Sequence, residues 1–130
     1  MTNDTLLPRV LVADGGMSGI SGLLLLAGAA ALAPAFGIPE AELRQIGFVL
    51  LPFAALVLLA WRLLPRTWPT WAIIVVNLLW VAASFATVAQ SGDRLTGMGA
   101  AGIVVQAIAV GGFALLEFVG VRRIGRPLPA

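Results

Sequence analysis

Uncharged apolar runs alternate with short polar interruptions along this chain. Residues 15–39, 45–61, 67–92 and 95–116 carry no Asp, Glu, Lys or Arg, and the breaks between them are brief. About 20 helical residues cover the ~30 Å of a bilayer's hydrocarbon core, so each run reaches or approaches a crossing length. The pattern predicts spans at about 16–36, 45–64, 69–90 and 97–121. The fold class it implies is an all-α membrane protein, an antiparallel four-transmembrane-helix bundle forming one domain over residues 1–130.

Polar positions within the runs fall on helical faces. In the third span Asn77, Trp80, Ser84 and Thr87 recur at spacings of three and four, which places them on one side of a helix. Such a stripe calls for protein cover, because an amide facing hydrocarbon has no hydrogen-bond partner. In the first span Asp14, Ser18, Ser21, Leu25 and Gly28 share a side, beside Gly15, Gly19 and Gly22. The fourth carries Gly102, Gln106, Phe113, Glu117 and Gly120 on a similar seam. The second has almost no polar atoms and is expected to be the most lipid-exposed. Pro52 near its middle predicts a kink. The Pro65–Pro69 linker is short enough to make the second and third spans neighbours.

Small residues three and four apart let helix backbones approach, so Gly15, Gly19 and Gly22 are read as a packing surface. By depth, Gln106 matches Ser84, and Asn77 lies nearer Ser18 and Ser21. The polar seam of Asn77, Trp80, Ser84, Gln106, Ser18 and Ser21 is the candidate partner or ligand site, with interhelical register as its plainer use. Asp14 and Glu117 are the carboxylates nearest the hydrocarbon. Arg9, Arg122 and Arg123 lie close to them in sequence, which favours ion pairs at the membrane interface. The sharper alternative is proton coupling through one of the two acids.

Composition agrees with the pattern: 60% of residues are hydrophobic and 11% charged, against about a quarter charged in soluble domains, and mean hydropathy is +1.02. The pI near 11.2 arises because all bases are arginine with nothing titrating between. A net charge of +2 is no argument for nucleic acid. Without Cys or His there is no disulfide, thiol nucleophile, imidazole metal site or Ser-His-Asp triad. No metal or cofactor is expected, and no catalytic residues are visible.

Arginine placement sets orientation. Arg9, Arg62, Arg66, Arg122, Arg123 and Arg126 belong to one side, and Arg44 and Arg94 to the other with Glu40, Glu42 and Asp93. Both termini are then cytoplasmic, and Trp61, Trp68 and Trp71 form an interfacial belt on that side. The Arg9-to-Ala33 region has a signal-peptide look, yet Asp14, Gly15, Gly16 and Pro34 fit a cleavage junction poorly, so it reads as a retained helix.

Asn77, Trp80 and Ser84, then Gln106-Ala107, Phe113, Leu116-Glu117 and Gly120-Val121-Arg122-Arg123, give the chain a pattern that resembles a loose group of small four-helix bacterial membrane proteins of unknown function. The resemblance implies a multi-pass protein of the bacterial cytoplasmic (inner) membrane and brings no catalytic residue with it. Small multidrug-resistance transporters share the size and span number, but their hallmark Glu in mid-first-helix has no counterpart here. The leading expectation is therefore a non-enzymatic accessory or scaffold subunit, in contact with membrane lipid and associating with itself or a larger membrane complex. The alternatives are a small proton-coupled transporter using Asp14 or Glu117, and a binder of lipid or a quinone-like molecule around Trp80 and Asn77.

Overall fold

A computed structural model describes residues 5–124, so Arg126 lies outside the described residues. Four helices account for nearly all of them: α1 (Leu6–Phe36), α2 (Glu40–Arg62), α3 (Trp68–Ser91) and α4 (Gly97–Arg123). All four are long and apolar enough to cross a membrane.

The helices begin and end where elementary chemistry allows. α1 runs on to Gly37, whose φ of 68° supplies the left-handed residue that closes a helix C-terminus. Pro39 precedes α2, and Glu40 and Glu42 in its first turn with Arg62 in its last complement the helix dipole. Pro69 occupies the first turn of α3, where its missing N–H is no loss. Thr96 caps α4 by accepting from the Gly99 N–H at 2.9 Å.

α1 starts ten residues before the predicted span. Asp14 therefore lies about 12 Å along the helix from Leu6, well inside rather than at an edge. The hydropathy pattern missed this because a charged residue ends an apolar run without ending a helix. α2 continues through Pro52.

Packing makes a ring in which α1 touches α2 and α4, α3 touches α4, and α2 meets α3 only loosely; across the diagonals, no Cα of α1 comes within 8 Å of one of α3, nor any of α2 within 8 Å of one of α4. The closest pair is α1 with α2. A Cβ on Gly22 would lie 3.1 Å from the Gly47 carbonyl oxygen, and one on Gly15 would lie 2.8 Å from the Leu58 side chain. Gly19 faces Ala54 in ordinary contact. The expectation that the second span is the most lipid-exposed is thus overturned. Its lack of polar atoms reflects close packing of Gly47, Ala54, Val57 and Ala60, all buried, and not exposure.

At one end Gly120 of α4 sits against Leu7 of α1, with 2.8 Å from a notional Cβ to that of Leu7. There Leu7, Leu11, Val57, Ala60, Ile73, Ile74 and Val121 form one buried apolar cluster. At the other end the Thr96 N–H donates to the Phe36 carbonyl at 3.2 Å and its hydroxyl to the Ala35 carbonyl at 2.6 Å. Gly99 passes so close to the Phe36 carbonyl that a side chain would overlap it.

Glycine substitutions should separate contact from open space. Gly47→Ala puts a methyl 2.8 Å from the Gly22 carbonyl oxygen, and overpacking of that kind should destabilise by about 1–3 kcal/mol. Gly102→Ala meets nothing within 4 Å and should be neutral or stabilising by up to about 1 kcal/mol. Denaturant unfolding in detergent micelles compares the two, and equal effects would contradict the described helix contacts.

Candidate functional site

Three helices bring their polar residues to one place. Asp14 of α1, Asn77 of α3 and Glu117 of α4 are all buried, with 2%, 2% and 0% of their surface exposed. The Asn77 side-chain amide donates to Asp14 Oδ2 at 3.0 Å and to Glu117 Oε2 at 3.2 Å. Ser18, one turn along α1, donates its hydroxyl to Asp14 Oδ1 at 3.3 Å. Glu117 Oε1 is buried with no hydrogen-bond partner among the described residues, as is the hydroxyl of Thr70, two turns before Asn77 on α3.

The ion pairs expected for these acids do not form. Arg9, Arg62, Arg66, Arg122 and Arg123 are all exposed, whereas both acids point inward. Among the described residues, the salt bridge is Arg44 with Glu40, on a different part of the molecule. Sequence proximity misled here because a helix turns by about 100° per residue, so Glu117 and Arg122 leave the axis in different directions. Glu117 and Gly120, three apart, share the inward face instead.

A second polar cluster lies further along the seam. The Trp80 indole N–H donates to Gln106 Oε1 at 2.8 Å, and the Gln106 amide donates to Ser84 Oγ at 2.9 Å and to the Ile103 carbonyl at 2.8 Å. Ser84 in turn donates to the Trp80 carbonyl at 2.8 Å. Depth matching anticipated the Ser84–Gln106 bond. Asn77, placed near Ser18 and Ser21 by the same argument, bonds to the acids, and Ser18 reaches it through Asp14. Ser21 is exposed and leaves the seam. Its spacing of seven from Asp14 allowed the same face, but no neighbouring helix covers it there. Gly15, Gly19 and Gly22 line the α2 contact, not the polar seam.

Between the two clusters is a cavity of about 60 Å³, walled by Val49, Phe53, Val76 and Trp80 among others, with Ser18 and Asn77 as its polar lining. Chemically the site offers two carboxyls, one shared amide and a small apolar chamber. The described residues include no group of three or more His, Cys, Asp or Glu that could hold a metal ion. No family model matches the chain, and no curated protein or solved structure matches it either.

Removing the shared donor tests the cluster. Asn77→Leu leaves buried carboxyl oxygens without their N–H and should destabilise by about 1–3 kcal/mol. The Trp80–Gln106 pair, measured by a double-mutant cycle with Trp80→Phe and Gln106→Leu, should couple by about 0.6 kcal/mol, the ordinary figure for such bonds between membrane helices. Unfolding in detergent gives both numbers. An Asn77→Leu protein as stable as the parent would remove the amide from this role.

Proposed function

We propose that this chain is a small multi-pass membrane protein that binds and exchanges a proton at the Asp14–Glu117 pair, and that it works as a proton-coupled carrier. The observation that carries this reading is two buried carboxyls converging on one amide while every described arginine is exposed. Two carboxylates in apolar surroundings with no cation between them are poorly compensated. One proton shared by the pair supplies an O–H donor and removes a like charge. Intramembrane acids held this way are functional candidates by default.

The bundle reads as antiparallel. Contact pairs run in opposite senses along α1 and α2 (Gly15 with Ala54, Gly22 with Gly47) and along α3 and α4 (Trp71 with Phe118, Ser84 with Gln106). Arg9, Arg62, Arg66, Arg122 and Arg123 then share one side, which the positive-inside rule makes cytoplasmic, with both termini there. A bacterial cytoplasmic membrane is the location implied by the resemblance.

The accessory or scaffold reading loses its main support, since the glycine surface that suggested association with a partner is occupied by α2. It would be favoured by gentle purification that retains stoichiometric partner subunits.

Infrared titration of the purified protein in nanodiscs tests proton binding directly. A protonated-carboxyl band is expected that disappears in Glu117→Gln and shifts in Asp14→Asn. In proteoliposomes, both substitutions should abolish pH-gradient-driven uptake of a transported substrate. A spectrum in which both acids are permanently ionised would overturn the proposal.

A further inference from the structure

The acid cluster is backed by apolar side chains on one side and, on the other, is separated from a cavity only by its hydrogen-bond partners Ser18 and Asn77. Toward the arginine-bearing ends it is backed by the buried cluster of Leu7, Leu11, Ile73, Ile74 and Val121. In the opposite direction, the two residues that hydrogen-bond to Asp14, Ser18 and Asn77, line the cavity of about 60 Å³. Its mouth lies where α2 and α3 part, marked by Val49 and Val76, which are 57% and 44% exposed against 2% for Asn77. In a membrane that mouth faces acyl chains, so whatever enters this way is partly apolar.

The hydrogen-bond inventory then selects the polar end of the occupant. Both N–H groups of Asn77 point at carboxyls, and the Trp80 N–H is given to Gln106. The Gln106 amide is given to Ser84 and Ile103, and the Ser18 and Ser84 hydroxyls to Asp14 and the Trp80 carbonyl. Every side-chain donor that lines the chamber is engaged; behind that lining Glu117 Oε1 remains a buried acceptor without a partner, and the Thr70 hydroxyl, two turns from Asn77, lies outside the chamber. A quinone or other carbonyl ligand needs a donor and finds only the proton that the acid pair itself shares. An ammonium group brings donors and a positive charge, and so matches both the spare acceptor and the acids. The wall includes the Trp80 ring, whose face suits a cation.

We propose that the cavity binds a small lipophilic amine, its ammonium head directed at Asp14 and Glu117 past Ser18 and Asn77 and its alkyl chain leaving between α2 and α3. This rests on the proton-binding reading, since the same acids serve both. The amine enters as the alkylammonium cation and the carboxyl pair releases one proton to water, so the charge of the site is unchanged. The chamber takes the head and a few methylenes, and the rest of a longer chain lies in the cleft. The polar groups bonded to the pair are Ser18 on α1 and Asn77 on α3, and besides Glu117 the ionisable residues of α4 are Arg122 and Arg123, both exposed. From α2, Ala54 and Leu58 meet neighbouring Gly15, and neither titrates.

The test uses the full chain in nanodiscs, titrated with hexylammonium and with 1-hexanol as a neutral match, and read as the Trp80 part of the fluorescence (parent minus Trp80→Phe). Hexylammonium should saturate and hexanol should bind at least tenfold more weakly. Since one proton competes, amine affinity should fall about tenfold per pH unit on the acid side of the pair's titration. Asp14→Asn and Glu117→Gln should each weaken binding at least tenfold. Val49→Phe, at an exposed position, should narrow the mouth and weaken binding while leaving the infrared carboxyl band in place. Equal binding of hexanol and hexylammonium, pH-independent amine binding, or preference for a short-chain quinone overturns the amine assignment. With the carboxyl band present, such a result sinks only the ligand; a missing band sinks the proton reading, whatever the amine does.

Discussion

The amide of Asn77 is the group on which the interior depends. It meets two carboxyls from two other helices, and no other described side chain satisfies both. Polar groups buried in apolar surroundings are tolerated only when paired, and the penalty for breaking such a pair exceeds the gain from making it. A contact of this kind therefore adds little to stability while selecting strongly against shifted registers. If α3 moved by one turn relative to α1 and α4, Asp14 and Glu117 would be left facing methyl groups.

The rest of the architecture serves that meeting point. Glycines at positions 15, 22 and 47 bring α1 and α2 close, which turns the Asp14 face of α1 toward α3 and α4. Gly120 against Leu7, and Thr96 with Gly99 against Phe36, fix α4 to α1 at both ends. The two polar clusters then differ in kind. Around Trp80, Gln106 and Ser84, each donor has its acceptor and the group is complete. Around Asp14 and Glu117 there are more acceptors than donors. The first is a set of fixed bonds between α3 and α4, and the second is chemically open.

Much of this was legible in the sequence. Uncharged run lengths gave the four helices, and helical spacing put Asn77, Ser84, Gln106 and Ser18 indoors. Equal depth gave the Ser84–Gln106 bond. What the spacing does not encode is which neighbour covers a face. Ser21 satisfies the period yet is exposed, and α2, apolar throughout, is tightly packed because its inward residues are small. The acids were the largest misreading. Charge patterns tie a carboxylate to the nearest arginine along the chain, whereas a helix that starts at Leu6 carries Asp14 two turns further inside than the apolar run suggested. Asp14 and Glu117 are 103 residues apart in sequence, and only the fold makes them neighbours.

The ring of contacts also gives the molecule a direction of compliance. No Cα of α1 lies within 8 Å of a Cα of α3 among the described residues, so those helices are joined across the diagonal by side chains alone. Packed helices move collectively in microseconds to milliseconds. Backbone packing holds α1 to α2 and α3 to α4, and the α1–α4 seam binds the two pairs like the spine of a book. The free edge of that book is the line where α2 and α3 touch least, held at one end by the apolar cluster of Val57, Ala60, Ile73 and Ile74, and the polar clasp between its covers is the bond from Asn77 to Asp14.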